Sequence, residues 1–285
     1  MIPLLFLMLA SFALVQLLAL VLGAIFVGQQ LSLVENPADP GNSIGFFVYI
    51  VATALVLLLV LKFYKGKKLF FILELLLYFT AIQIALEALL SGIAYGGAIA
   101  MIAGILAAAV RVFYPQARNG LLLASAAVVG AVLGSSLDLF PAALLAVLLA
   151  GYDFIAVFVT KHMVTLAEEL EGREAAFSVM FGEPAAKKLP QKRSAAGAGK
   201  KVSVIELGTG DLVIPCMLAV SAMKPMINGV PNFFAAASVS LGALAGICVL
   251  FYILEKRRGY LPALPPIVFF SLLFLALQTL LAQFL

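Results

Sequence analysis

The sequence predicts an all-α fold, a polytopic membrane protein of nine transmembrane helices. Three observations carry this. Hydrophobic residues make up 64% of the 285 and charged residues only 11%, whereas a soluble domain carries about 25% charged residues. Apolar runs of about 20 residues, enough to cross roughly 30 Å of hydrocarbon, recur along the whole chain. The connections between them alternate, without a break, between basic and non-basic.

The runs fall at 2–27, 44–63, 69–90, 93–113, 120–137, 141–163, 202–223, 232–254 and 264–284. The first lacks a basic start and a clear cleavage site and is too long for a signal peptide, so it reads as a span. The third and fourth are joined by little more than Ser91-Gly92 and form a tight hairpin. Pro115 ends the fourth, and Pro141 opens the sixth in the favoured first turn. Gly96-Gly97, the three alanines from Ala107 and Gly130 supply the small residues that close helix packing in lipid uses.

Charge sets the orientation. The connection 28–43 has Glu35 and Asp39 but no Lys or Arg; the next has Lys62, Lys65, Lys67 and Lys68. The third has no charge, the fourth follows Arg111 and holds Arg118, and the fifth has only Asp138. The sixth carries Lys187, Lys188, Lys192, Arg193, Lys200 and Lys201, the seventh only Lys224, and the eighth Lys256, Arg257 and Arg258. By the positive-inside rule the N-terminus is cytoplasmic and the C-terminus outside. The loop 164–201 is the only sizeable soluble piece. Its acids Glu168, Glu169, Glu171 and Glu174, with Phe177 and Phe181 four apart, suit an amphipathic helix from Thr165 to Phe181. The rest is a basic, flexible linker that also suits contact with lipid headgroups.

The net charge of +4 sits in these loops and gives no nucleic-acid signal. Cys216 and Cys248 lie in apolar spans and read as small core residues. The single histidine, His162, and the lack of any Cys/His cluster argue against a zinc site, and no cofactor is implied.

Asp211, in Gly208-Thr209-Gly210-Asp211-Leu212, and Asp153, in Gly151-Tyr152-Asp153-Phe154, interrupt two apolar spans. A carboxylate at membrane depth costs about 2.5–3.5 kcal/mol on insertion scales and by default marks function. Counting residues from the span ends at about 1.5 Å each puts both acids roughly 14–15 Å from the cytoplasmic edge. Two carboxyls brought together there share a proton. The ionised one can then take a proton from water while the protonated one polarises a peptide carbonyl. The same acids suit a proton or ion relay, and on the acids alone these readings stand level, with structural pairing a lesser third. Glu74, Glu87 and Glu206 lie nearer span ends, where snorkelling or a helix–helix hydrogen bond explains them. Tyr152 needs a polar partner or a packing neighbour beside the site. Finally, Tyr260-Leu261-Pro262-Ala263-Leu264-Pro265-Pro266 is biased away from helix by its prolines. It should stay extended until Pro265 or Pro266 starts the last helix, leaving unpaired backbone near the acids.

Tyr152-Asp153, Gly208-Thr209-Gly210-Asp211 and Pro262-Ala263-Leu264, in this order over nine spans, resemble the YD, GxGD and PAL motifs of the presenilin and signal peptide peptidase family. That resemblance implies an intramembrane aspartyl protease with Asp153 and Asp211 as catalytic pair. Tyr152, Gly208, Thr209, Gly210, Leu212, Pro262, Ala263 and Leu264 then shape the site or hold substrate. The motifs lie within 141–285, which is expected to form the catalytic region, with 1–140 an N-terminal bundle. Implied partners are transmembrane protein substrates and the bilayer; homo-oligomerisation is left open. Leu212 stands where many presenilins have phenylalanine, which points to altered specificity. The loop 164–201 is much shorter than in animal presenilins, as in a compact microbial homologue. The expected orientation is that of presenilin and opposite to signal peptide peptidase. The alternative reading is a proton-coupled transporter or channel using the same acids.

Overall fold

The computed structural model describes residues 2–63, 68–158, 178–181, 205–225, 230–256 and 262–284. His162, the acidic stretch 165–177, the basic run 187–201 and Tyr260 lie outside them. Among the described residues there are nine α-helices: α1 (Ile2–Gly28), α2 (Pro40–Phe63), α3 (Lys68–Leu89), α4 (Gly96–Phe113), α5 (Arg118–Ser136), α6 (Leu139–Phe158), α7 (Thr209–Met223), α8 (Phe233–Lys256) and α9 (Leu264–Phe284). Seven are long and apolar enough to cross a membrane; α7 and the Pro40–Val56 part of α2 are shorter apolar helices.

Between α6 and α7 stand two short strands, β1 (Ser178–Phe181) and β2 (Ile205–Gly208). They pair antiparallel, with Val179 opposite Leu207 and Ser178 opposite Gly208. Two expectations are corrected here. The segment ending at Phe181 is extended over 178–181, and the seventh apolar run is extended over Ile205–Gly208 and helical from Thr209. The physical reason lies in the residues. Ile205 is β-branched and favours extended backbone, and Gly208 and Gly210 follow close behind. Glu206 is thus a strand residue opposite Met180, rather than one turn into a helix.

Helix α7 is the centre of the molecule. It packs against α1, α5, α6, α8 and α9, and every residue from Ile214 to Met223 is buried. A helix apolar all round is one that neighbours enclose. The approach of α5 is very close. A Cβ on Gly130 would come within 2.4 Å of the Cys216 Cβ, and one on Gly134 within 2.6 Å of the Met217 carbonyl oxygen. The small residues of the fifth run therefore do what their density implied. Val179 and Leu207 sink into the same core as Met8, Phe12 and Leu212, tying the hairpin to α1 and α7. Cys216 is buried as expected, but Cys248 is exposed on α8.

The connections sort by end. Gln29 Nε2 donates to the Ala88 carbonyl and to Ser91 Oγ, both at 2.7 Å. Leu33 N–H donates to Ser136 Oγ at 2.9 Å, Asp138 N–H to the Pro37 carbonyl at 3.0 Å, and Lys224 Nζ pairs with Asp138 at 2.8 Å. The first, third, fifth and seventh connections thus meet at one end, as an alternating chain requires. Elsewhere, Glu74 of α3 holds Arg118 at 2.9 Å and Arg111 of α4 at 3.4 Å. Arg111 is only 5% exposed, so a residue read as a loop charge is in fact a buried helix–helix partner.

Candidate functional site

Three chain segments converge: α6 at Asp153, the β2–α7 junction at Gly208–Leu212, and the start of α9 at Pro262–Leu264. Asp211 is not deep in a helix, as residue counting placed it. It is in the first turn of α7. Gly208, with φ −64° and ψ 142°, is the extended residue just before that helix. The Asp211 carboxyl folds back onto the Gly208 N–H, the reach of a third-position acid to the residue that caps its helix. A Cβ on Gly208 would stand 3.2 Å from Asp211 Oδ2, so the first glycine of the motif makes room for this fold-back. The second differs. A Cβ on Gly210 would meet nothing within 4 Å, and Gly210 is exposed.

Asp153 is served from α9. Leu264 N–H donates to Asp153 Oδ2 at 3.3 Å, and Ala263 N–H also reaches this carboxyl. A helix start offers four N–H groups without helical partners. Prolines at 262, 265 and 266 have none to offer. Ala263 and Leu264 supply the remaining donors at this tip, and both go to Asp153. The helix therefore starts at Leu264, one residue before Pro265, and the backbone N–H groups expected to be unpaired here are engaged. Both aspartates rest on the positive end of a helix, Asp211 on its own α7 and Asp153 on α9. The Asp211 carboxyl also lies within charge-interaction range of Asp153. Among the described residues, no Lys or Arg pairs with either. Main-chain dipoles are what hold the two acids.

The other residues of the three motifs separate by role. Tyr152 packs edge-on against Phe47 of α2, ring centroids 6.4 Å apart, joining α6 to its neighbour. Leu212 is 1% exposed and lies in the core with Met8 and Phe12, so it anchors the first turn of α7 to α1 and has no face open to substrate. Thr209 is half-buried at the helix start. Pro262 is buried, Ala263 packs against the core around α1 and α7, and Leu264 against the core around α6 and α7. An apolar groove of about 580 Å³ runs between α6 and α9, lined by Gly151, Phe154, Pro265 and Phe269 among others; neither aspartate lines it, and Phe154 is the chain neighbour of Asp153. Sequence reasoning missed this groove. Gly151, next to the YD pair, was its one available signal in the sequence.

The fold has known counterparts. Two solved structures, each of a presenilin family intramembrane aspartate protease, match nearly the whole chain. One, in space group P2, is 24% identical with a TM-score of 0.65, covering 95% of this chain and 96% of its own. The other, in C222, is 26% identical with a TM-score of 0.70, covering 97% and 99%. No curated protein gives a significant match. The family described as signal-peptide peptidase, presenilin aspartyl protease matches residues 9–272. The chain therefore has the presenilin fold and belongs to the signal-peptide peptidase and presenilin family of aspartyl proteases.

Proposed function

We propose that this protein hydrolyses peptide bonds within transmembrane segments of other membrane proteins, with Asp153 and Asp211 as its catalytic pair. One observation carries the reading. Two carboxyls from different helices share one neighbourhood, compensated by main-chain N–H groups rather than by cations. In that setting the pair can hold one proton between them. One carboxylate draws a proton from water as it attacks, and the other carboxyl donates to the scissile carbonyl; the roles reverse as the amine leaves. Membership of the family supports hydrolysis over proton-coupled transport by the same acids. No cofactor is needed for this chemistry.

All nine helices cross the bilayer in this reading. Helix α7 alone spans only about 22 Å, but the extended β2 before it adds about 13 Å, and the two together match the hydrocarbon core. The N-terminus is cytoplasmic and the C-terminus outside, from the loop charges. Residues 141–285 carry the chemistry, and 1–140 form the frame that encloses α7. In this reading a substrate helix docks from the lipid side in the groove between α6 and α9, which includes Phe154 and Pro265, the chain neighbours of Asp153 and Leu264. The test uses purified protein in liposomes with a tagged transmembrane substrate. Products cut within the apolar segment, and their loss with an aspartyl transition-state analogue, are expected. Solute flux with an intact substrate would replace this reading with the transporter.

A further inference from the structure

Pro215 lies inside α7, four residues after Asp211. Each carbonyl of an α-helix accepts the N–H of the residue four further on. Proline has no N–H, and its ring crowds the carbonyl four residues back. The rung that would close on the Asp211 carbonyl is therefore missing, and the missing partner belongs to the very residue whose side chain joins the pair. Residues four apart share a helix face, so this carbonyl opens on the face of α7 that carries Asp211. Pro215 itself is buried, which fixes the ring. On the adjoining turn Gly210 is exposed and a side chain there would touch nothing, so an extended chain can approach.

An unpaired carbonyl at membrane depth costs several kcal/mol until a donor reaches it. Among the described residues, the start of α9 supplies none: Ala263 and Leu264 already donate to Asp153, and Pro262, Pro265 and Pro266 have no N–H. A peptide opened for hydrolysis has the complementary shortage, since its own N–H groups have lost their helical acceptors. We propose that the Asp211 main-chain carbonyl, released by Pro215, accepts a backbone N–H of the bound substrate next to the scissile bond. Pro215 is the positioning residue, and the acceptor is main chain. The carbonyl can take only a donor, so it fixes the substrate's register against the pair. This rests on the protease reading above.

The test is a substrate series in which single backbone amides within three residues of the cut are replaced by esters, removing one N–H each. Wild-type enzyme should lose about tenfold in kcat/KM at one ester position, the scale of one hydrogen bond beside a charge. In Pro215→Ala the alanine N–H closes the rung. That variant should cleave the all-amide substrate about tenfold more slowly and be indifferent to the critical ester. A wild-type scan with no sensitive position overturns the proposal without needing any variant. So does a folded Pro215→Ala enzyme whose ester sensitivities equal those of wild type. Pro215→Ala with Ile214→Pro keeps a proline in the turn but releases the Gly210 carbonyl instead, and should not restore sensitivity at the same ester. Restoration would assign the effect to the bend of α7 and overturn the proposal. In all these outcomes wild-type cleavage itself still stands or falls separately, by its dependence on the two aspartates.

Discussion

Glu74 and the Asp153–Asp211 pair are acids in similar apolar helices, and the protein treats them in opposite ways. Glu74 is 4% exposed. It accepts from the Tyr78 hydroxyl and pairs with the guanidinium groups of Arg118 and Arg111, and Arg111 in turn lies 5.3 Å from the centre of the Phe71 ring. Full cations face it. The aspartates face main-chain N–H groups at the starts of α7 and α9. Partial charges steady a carboxylate without fixing its proton. If the proposed roles hold, burial alone does not mark a working acid in a membrane protein. The kind of compensation does.

The strongest way to break this comparison is to remove each charge in turn. Asp153→Asn and Asp211→Asn should each lower cleavage by about 10³-fold or more, because an amide keeps the shape but cannot act as base. Both should stay folded, with a melting temperature in detergent equal to or above wild type, since no buried cation is left unpaired. Substantial cleavage by either purified variant would remove that residue from the pair.

Glu74→Gln should do the reverse. It leaves the cluster short of its negative partner, which costs about 3–5 kcal/mol when a buried pair is broken. The melting temperature should fall clearly, while kcat of the folded fraction stays within about twofold of wild type. A Glu74→Gln enzyme of normal stability and dyad-like inactivity would place this acid in the chemistry and end the distinction.

These two sites were not equally legible. Among the described residues the nine α-helices fall on the nine apolar runs, seven of them long and apolar enough to cross a membrane, because lipid leaves the backbone few options, and the ends of α1, α3 and α9 fell within a residue of the runs. The two aspartates stood out because acids are rare in such runs. Composition could not show where the seventh run changes from strand to helix. Ile205 to Gly208 are apolar enough for either, and pairing with β1 decides it. Asp211 consequently moved from mid-helix to the first turn, and only there does its bond to Gly208 make sense. The Leu264 and Ala263 donors were illegible for another reason: prolines reveal which N–H groups are missing, not where the remaining ones aim. Arg111 was misread because a residue near a helix end can turn either way, and Glu74, on another helix, settles the choice.

The finest test of the comparison uses the two glycines of the GxGD motif, which sequence treats alike and the structure does not. At Gly208, φ of −64° suits any residue, so alanine there brings no backbone strain. Its Cβ would, however, sit 3.2 Å from Asp211 Oδ2, tighter than ordinary contact. The carboxyl must move by a few tenths of an ångström off the Gly208 N–H. Misplacement of a reacting group by about 1 Å can cost 10²-fold, so Gly208→Ala should lower kcat by about tenfold with KM little changed. Gly210→Ala meets no atom within 4 Å. Alanine is the better helix former by about 1 kcal/mol, so the free enzyme should melt slightly higher. Any loss must then come from substrate that uses the open space, and should appear as a rise of KM of a few-fold rather than a fall of kcat. Steady-state kinetics of the two variants on one substrate separates the effects. If Gly208→Ala leaves kcat intact, the Asp211 carboxyl does not work from the position that bond gives it. If the two variants lose kcat equally, main-chain compensation is shared along the whole turn rather than centred on Gly208.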